Sequence, residues 1–196
     1  MKKAITVLIV LIVLVCLAFG GYLLYEYLMH ERALRNYPVA YEDVIASCAE
    51  EFSLDPYLVI SVMRCESSFD PAAVSNRGAI GLMQVMPDTG AWIAHKLDMD
   101  DTYVEALLYE PDVNVRFGCW YLKFLSGRFD GDYKKMIAGY NAGHGTVEKW
   151  MENPAYAQGD VLTTIPFEST AAYYDRVMTS YTMYKELYPE LFTKGT

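Results

Sequence analysis

Apolar residues fall into two regimes along this chain. After Met1-Lys2-Lys3, residues Ala4 through Tyr25 carry no charged side chain. As a helix this run reaches about 33 Å, enough for a bilayer core. From Tyr41 onward apolar positions recur at helical spacing, broken by Gly, Pro and Asn. Tyr41–Phe52 places Val44, Ile45, Cys48 and Phe52 on one side. Asp55–Glu66 opens with Asp as N-cap and Pro56 at the first helical position, then aligns Leu58, Val59, Val62 and Met63. Pro87-Asp88-Thr89 starts a helix to about Lys96, and Pro111–Phe129 forms a long one with Val115, Cys119, Leu122 and Leu125 on one side. Tyr133–Tyr140 is short and closed by Asn141-Ala142-Gly143; Thr146–Met151 adds a turn or two; Ser169–Leu187 aligns Tyr173, Val177, Tyr181 and Tyr184. Residues 68–81 and 152–166 lack periodicity and read as loops, with one short strand pattern at Val161–Ile165. The pattern predicts an N-terminal transmembrane helix (1–25), a juxtamembrane stalk (26–40) and an all-α domain (41–190).

Charge then separates the parts further. Lys2, Lys3, Arg32 and Arg35 against Glu26 and Glu31 leave residues 1–36 at +2, so a total of −9 puts −11 on residues 37–196. Nucleic acid is a poor partner for that surface, because binding rests on Lys and Arg neutralising phosphates. A neutral or mixed-charge ligand such as a glycan fits better. A cleaved signal peptide shares the charge pattern of the N-terminus. The length of the apolar run and the lack of an A-x-A-like site after it favour an uncleaved signal anchor. Val15 before Cys16 departs from a lipobox. Lys2 and Lys3 place the N-terminus in the cytoplasm and the rest of the chain outside. Cys48, Cys65 and Cys119 leave two arrangements open, one disulfide plus a free thiol or three buried thiols. No C-x-x-C pair exists, and Asp130-Gly131-Asp132 is too short for a calcium loop, so neither a metal nor a cofactor is expected.

Glu66 stands out chemically. It lies four residues after Val62 and seven after Val59, on the apolar face of its helix, and in the last turn, where the macrodipole is negative. Desolvation and dipole both disfavour the carboxylate and raise its pKa. A carboxyl that stays protonated near neutral pH can act as a general acid. Cys65 beside it has no His nearby in sequence and reads as structural.

The residues around Glu66 carry a family resemblance. Glu66-Ser67-Ser68-Phe69-Asp70-Pro71-Ala72-Ala73-Val74-Ser75, followed by Gly78-Ala79-Ile80-Gly81-Leu82-Met83-Gln84-Val85-Met86-Pro87-Asp88-Thr89, resembles the signature of soluble-lytic-transglycosylase-type domains. These belong to the lysozyme-like superfamily, near goose-type lysozyme. Ala138-Gly139-Tyr140-Asn141-Ala142-Gly143 is similar to the family's second motif. Ile165-Pro166-Phe167 with Thr170, Tyr173, Arg176 and Val177 matches part of the third. The resemblance covers about Tyr41 to Leu187.

The resemblance implies a lysozyme-like fold acting on peptidoglycan glycan strands. One Glu protonates the oxygen leaving the bond between N-acetylmuramic acid and N-acetylglucosamine. As carboxylate it then takes the proton of the muramyl C6 hydroxyl, which closes to a 1,6-anhydro product. It also implies substrate-binding roles for Ser75, Met83, Gln84, Tyr140, Asn141 and Tyr173. Five of the six have a plainer role beside the implied one: loop hydrogen bonding for Ser75 and Gln84, core packing for Met83, a left-handed helix end for Asn141 and helix packing for Tyr173. Gly78 and Gly81 suit turns that need positive φ. One departure is visible: where the family usually has Glu-Thr-Arg, this chain has Ser169-Thr170-Ala171, with Glu168 adjacent. Two other functions share these features. One is a hydrolytic muramidase with the same acid; the other is a non-catalytic wall-binding protein beside a larger assembly.

Overall fold

The structure, a computed structural model, describes residues 2–193. Met1, and the side chains of Ala4, Val7, Leu8 and Val10 in the apolar run, lie outside that description. The chain divides after Pro38 into two units.

The first unit is one helix, α1 (Lys2–Asn36). It does not stop at Tyr25 but continues through the polar residues expected to form a stalk. Among the described residues its apolar side chains from Ile5 to Met29 are exposed, with Val15 and Leu17 about two-thirds exposed at 66% and 67%. Within it, Leu11–Asn36 is long and apolar enough to cross a membrane by length and composition.

The second unit is built from α2 (Glu42–Phe52), α3 (Pro56–Ser67), α4 (Pro87–Lys96), a short 3-10 helix (Glu105–Tyr109), α5 (Pro111–Arg128), α6 (Tyr133–Ala142), α7 (His144–Met151) and α8 (Glu168–Leu187). Between α7 and α8 a two-residue hairpin pairs β1 (Ala157–Gln158) with β2 (Val161–Leu162), antiparallel, with Ala157 opposite Leu162. The domain is thus all-α, as its spacing predicts, with the strand signal at Val161 reduced to this hairpin.

α3 is the axis of the core. The sequence gives it one apolar face, yet Leu58 through Met63 are all buried. Burial on every side marks a central helix. Its one polar member there, Ser61, satisfies its hydroxyl by donating to the Tyr57 carbonyl at 2.6 Å. Asp55 caps its start, accepting from the Tyr57 amide at 2.9 Å. α8 packs along α3 and grips it at both ends through tyrosines. Tyr181 donates to Asp55 Oδ2 at 2.6 Å near the start of α3. Tyr173, two turns earlier in α8, reaches the other end.

Residues 68–86 form a folded loop rather than an irregular one. Val74 bridges Ile80, and Ile80 bridges Val85. Asn114, buried on α5, holds it from below. Its Oδ1 accepts from the Met83 amide at 2.7 Å, and its Nδ2 donates to the carbonyls of Ile80 (2.8 Å) and Leu108 (2.6 Å). Gly81 sits on Asn114 with φ of +79°, and a Cβ there would collide with the Asn114 amide and the Leu108 carbonyl.

Candidate active site

Glu66 occupies the last turn of α3. The chain leaves the helix through two successive left-handed residues, Ser68 (φ 53°) and Phe69 (φ 68°). Non-glycine residues adopt this region at a cost, so the sharp exit is held by its surroundings. Ser67 contributes by donating its hydroxyl to the Leu82 carbonyl at 2.8 Å, pinning the helix end to the loop.

Burial and two side chains, Tyr173 and Arg176, define the carboxyl's environment. Removal from water raises its pKa from 4.5 to about 7; the Tyr173 hydrogen bond and the Arg176 charge pull the other way but lose. Part of Glu66 still reaches solvent. Tyr173, itself buried, donates its hydroxyl to Glu66 Oε1 at 2.6 Å. Arg176 lies one turn further along α8, its guanidinium carbon 5.8 Å from the Tyr173 ring centre. No carboxylate is among the groups that shift Glu66. Asp70, the nearest in sequence, is exposed and accepts from the Ala72 amide at 2.9 Å, closing a turn.

Tyr140 completes the pocket from α6. Its hydroxyl donates to the Met83 carbonyl at 2.8 Å. Burial first, and then the Glu66 charge, push its phenol well above the ordinary range. Both tyrosines near the acid are therefore neutral hydrogen-bond donors. Tyr140 also lines a groove of about 240 Å³ together with Gln84, Met86, Thr89, Tyr121 and Asn141.

The other expected site residues divide by what their side chains do. Ser75 Oγ accepts from the amides of Ala79 (2.9 Å) and Arg77 (3.3 Å), organising the loop. Gln84, left-handed at φ 50°, donates its amide nitrogen to the carbonyls of Ala73 (3.1 Å) and Gly81 (2.9 Å) and lines the groove. Met83 is fully buried and packs against Gly118, where a Cβ would strike its sulfur. Its side chain does not reach the groove; its carbonyl holds Tyr140 instead. Asn141 lies inside α6 rather than at a left-handed helix end, because Gly143 (φ 86°) takes the terminal position. It is exposed, and its Oδ1 accepts from Thr170 at 2.8 Å. Glu168 is the exposed first residue of α8. Cys65 is half-buried, its sulfur 3.7 Å from Ser180 Oγ, and burial raises its thiol.

Two residues that shape the site carry no assigned role in the sequence motifs. Arg176 appears there only inside a motif, and Asn114 not at all. An Asn within the apolar positions of a long helix was the available signal for the second.

An all-helical, lysozyme-like domain that keeps one shielded, protonatable carboxyl beside a groove defines the class. The chain belongs to the transglycosylase SLT domain family, whose model matches residues 43–162. It is 30% identical over 145 residues to a soluble lytic murein transglycosylase of Salmonella typhimurium, covering 73% of this chain and 22% of the relative. It is 34% identical over 148 residues to membrane-bound lytic murein transglycosylase C of Actinobacillus pleuropneumoniae, covering 71% and 40%. The chain thus spans between about a fifth and two fifths of the length of these relatives. Among solved structures, it is similar to the 70 kDa soluble lytic transglycosylase of Escherichia coli, with a TM-score of 0.72 and 27% identity over 79% of this chain and 25% of that one. It is also similar to an inactive Glu-to-Gln mutant of the lytic transglycosylase Slt from Pseudomonas aeruginosa, with a TM-score of 0.68 and 32% identity over 76% and 24%.

Proposed function

We propose that this chain is a membrane-anchored lytic transglycosylase that cuts peptidoglycan glycan strands with Glu66 as the single acid and base. The observation that carries the reading is one carboxyl with a pKa of about 7, hydrogen-bonded to a neutral tyrosine, with no carboxylate among the groups that shift it. A glycosidase of the usual kind needs two carboxyls flanking the bond. One carboxyl suffices when the substrate supplies its own nucleophile.

In this reading Tyr173 occupies Oε1 and leaves Oε2 to carry the proton. Glu66 gives that proton to the oxygen leaving the muramyl anomeric carbon. Once ionised, it accepts the proton of the muramyl C6 hydroxyl as that oxygen bonds the anomeric carbon. The Glu is regenerated, no water enters, and the product is a 1,6-anhydro sugar. Arg176 and the Tyr173 hydrogen bond stabilise the carboxylate between the two transfers, and burial favours its return to the acid. Gln84, Asn141, Ser75 and the ring of Tyr140 position the glycan; Met83 acts through its carbonyl.

The relatives' names support the activity and the anchoring: both are lytic murein transglycosylases and one is membrane-bound. Residues 1–25 serve as a signal anchor, 26–40 as a spacer that continues the helix, and 41–190 as the catalytic domain. The chain crosses the membrane once, with the catalytic domain outside the cytoplasm, within reach of the wall. Turbidity loss of purified sacculi tests the role of Glu66. Glu66→Gln is expected to slow clearing by at least about 100-fold, the low end of general acid–base catalysis. Clearing at the wild-type rate would remove Glu66 from the mechanism.

A further inference from the structure

We propose that Thr170 is a positioning residue that fixes the Asn141 carboxamide so that its nitrogen, and not its oxygen, meets the glycan in the groove. The proposal rests on the glycan-cutting reading above and adds what the groove selects at this point. It selects a group that accepts a hydrogen bond, the acetamido carbonyl of an N-acetylated sugar. Thr170 lies in the first turn of α8 and is buried, only 2% exposed. A hydroxyl shut away from water has to give its proton to a protein acceptor. Helical hydroxyls commonly turn back to the carbonyl four residues earlier, as Ser61 and Thr182 do here. Thr170 has no full helical turn behind it to offer one. Among the described residues its acceptor is Asn141 Oδ1, at 2.8 Å. An amide turned over would present Thr170 with a donor and leave its buried proton without an acceptor. The hydroxyl therefore decides which way Asn141 faces.

The consequence falls on the exposed side of the amide. Asn141 is exposed and lines the groove with Gln84, Tyr121 and Tyr140. With Oδ1 taken by Thr170, Nδ2 keeps both hydrogens, and no described residue accepts from either. Such a donor pairs with a carbonyl and repels a group that only donates. An acetamido carbonyl accepts through two lone pairs. The ammonium left when a sugar loses its acetyl group has only hydrogens to offer. The groove thus distinguishes N-acetylated from de-N-acetylated sugars beside Asn141, and Thr170 sets that preference without touching the strand. The fold does not depend on this bond. Thr170→Val keeps the shape of the buried side chain, and water takes the place of the hydroxyl at the exposed Oδ1. What the change releases is the orientation of the amide, which can then present oxygen as readily as nitrogen.

Calorimetric titration with soluble glycan strands freed of stem peptides, before and after chemical de-N-acetylation, gives the test. The parent is the full chain in detergent with Glu66→Gln, which stops turnover. High salt screens the attraction of freed amines to the acidic surface. Binding judges Thr170 separately from the acid, which the masses of released products judge. Thr170→Val is expected to weaken binding of acetylated strands about 5-fold, the size of one neutral hydrogen bond. It should narrow the preference over de-N-acetylated strands by at least as much and melt like the parent. Thr170→Ser keeps the hydroxyl and should keep both affinity and preference. Asn141→Asp, a surface change, keeps an oxygen for Thr170 and puts another where Nδ2 stood, so the preference should reverse. Parental affinity and preference in Thr170→Val, or equal losses in Thr170→Ser and Thr170→Val, overturn the proposal. So does an Asn141→Asp chain that still prefers acetylated strands, or a parent that binds both strands equally.

Discussion

Between pH 4.5 and about 7 the folded chain keeps a proton on Glu66 that the unfolded chain releases. More protons are bound in the native state across that window, so this group's contribution to stability falls as pH rises through it. The shift amounts to about 3 kcal/mol once pH exceeds 7. Glu66→Gln removes the ionisation but keeps an oxygen for Tyr173. Thermal melts of the two proteins should coincide near pH 4 and diverge toward pH 8, with the variant melting higher. Equal melts at pH 8 would mean the carboxylate is not disfavoured there. Tyr173→Phe deletes a bond that favours the carboxylate, so the acid should hold its proton to higher pH. The alkaline limb of the pH–rate profile is then expected to move upward from about pH 7, while loss of rate without movement of the limb would reduce Tyr173 to packing. At this scale the shielded setting of Glu66 was readable from its place on an apolar face in a final helical turn, and its contact with Tyr173 only through the resemblance. Which atoms of Met83 and Gln84 are engaged was not legible, because sequence names a residue and not its contacts: the Met83 carbonyl accepts from Tyr140, and the Gln84 amide nitrogen braces its own loop.

The elements that aim the acid are α3, α8 and the loop clipped to α5. Gly81 and Asn114 are the tightest point among them. Gly81→Ala must place a methyl where Asn114 and the Leu108 carbonyl already sit, at a left-handed φ. A loss of about 3 kcal/mol is expected by chemical denaturation. Asn114→Ala takes the side-chain partner from the Met83 amide and the Leu108 carbonyl, while the Ile80 carbonyl keeps the Val85 amide, and should cost about 3 kcal/mol. A loss below about 1 kcal/mol in both would show that the loop stands without this support. The helices were legible because their starts are marked chemically, Asp55-Pro56, Pro87 and Pro111 opening α3, α4 and α5. The bridges joining Val74, Ile80 and Val85 were not, because single pairings leave no alternation to read. The 3-10 helix at Glu105–Tyr109 escaped for the same reason, being too short to show a period. α6 outran its predicted end because Asn141 and Ala142 tolerate helix and only Gly143 turns left-handed.

At the scale of the molecule, one apolar helix precedes an acidic helical domain of the transglycosylase SLT family. Attachment should therefore be hydrophobic rather than electrostatic. The full chain is expected in the membrane fraction, released by detergent but not by 1 M salt or alkaline carbonate, while a chain beginning at Val39 should be soluble and still clear sacculi. Release of the full chain by salt would contradict an anchor. The two-regime hydropathy made this division visible from sequence, although the unbroken helix through residues 26–36 was not, since polar composition says nothing of whether a helix stops. The central claim, that Glu66 alone acts as acid and base on a glycan strand, is tested most directly by the masses of the muropeptides released from sacculi. The account predicts products lighter by one water than the hydrolysed sugars, from the wild-type chain and not from Glu66→Gln. Hydrated products from the wild type, or anhydro products from the variant, would contradict it.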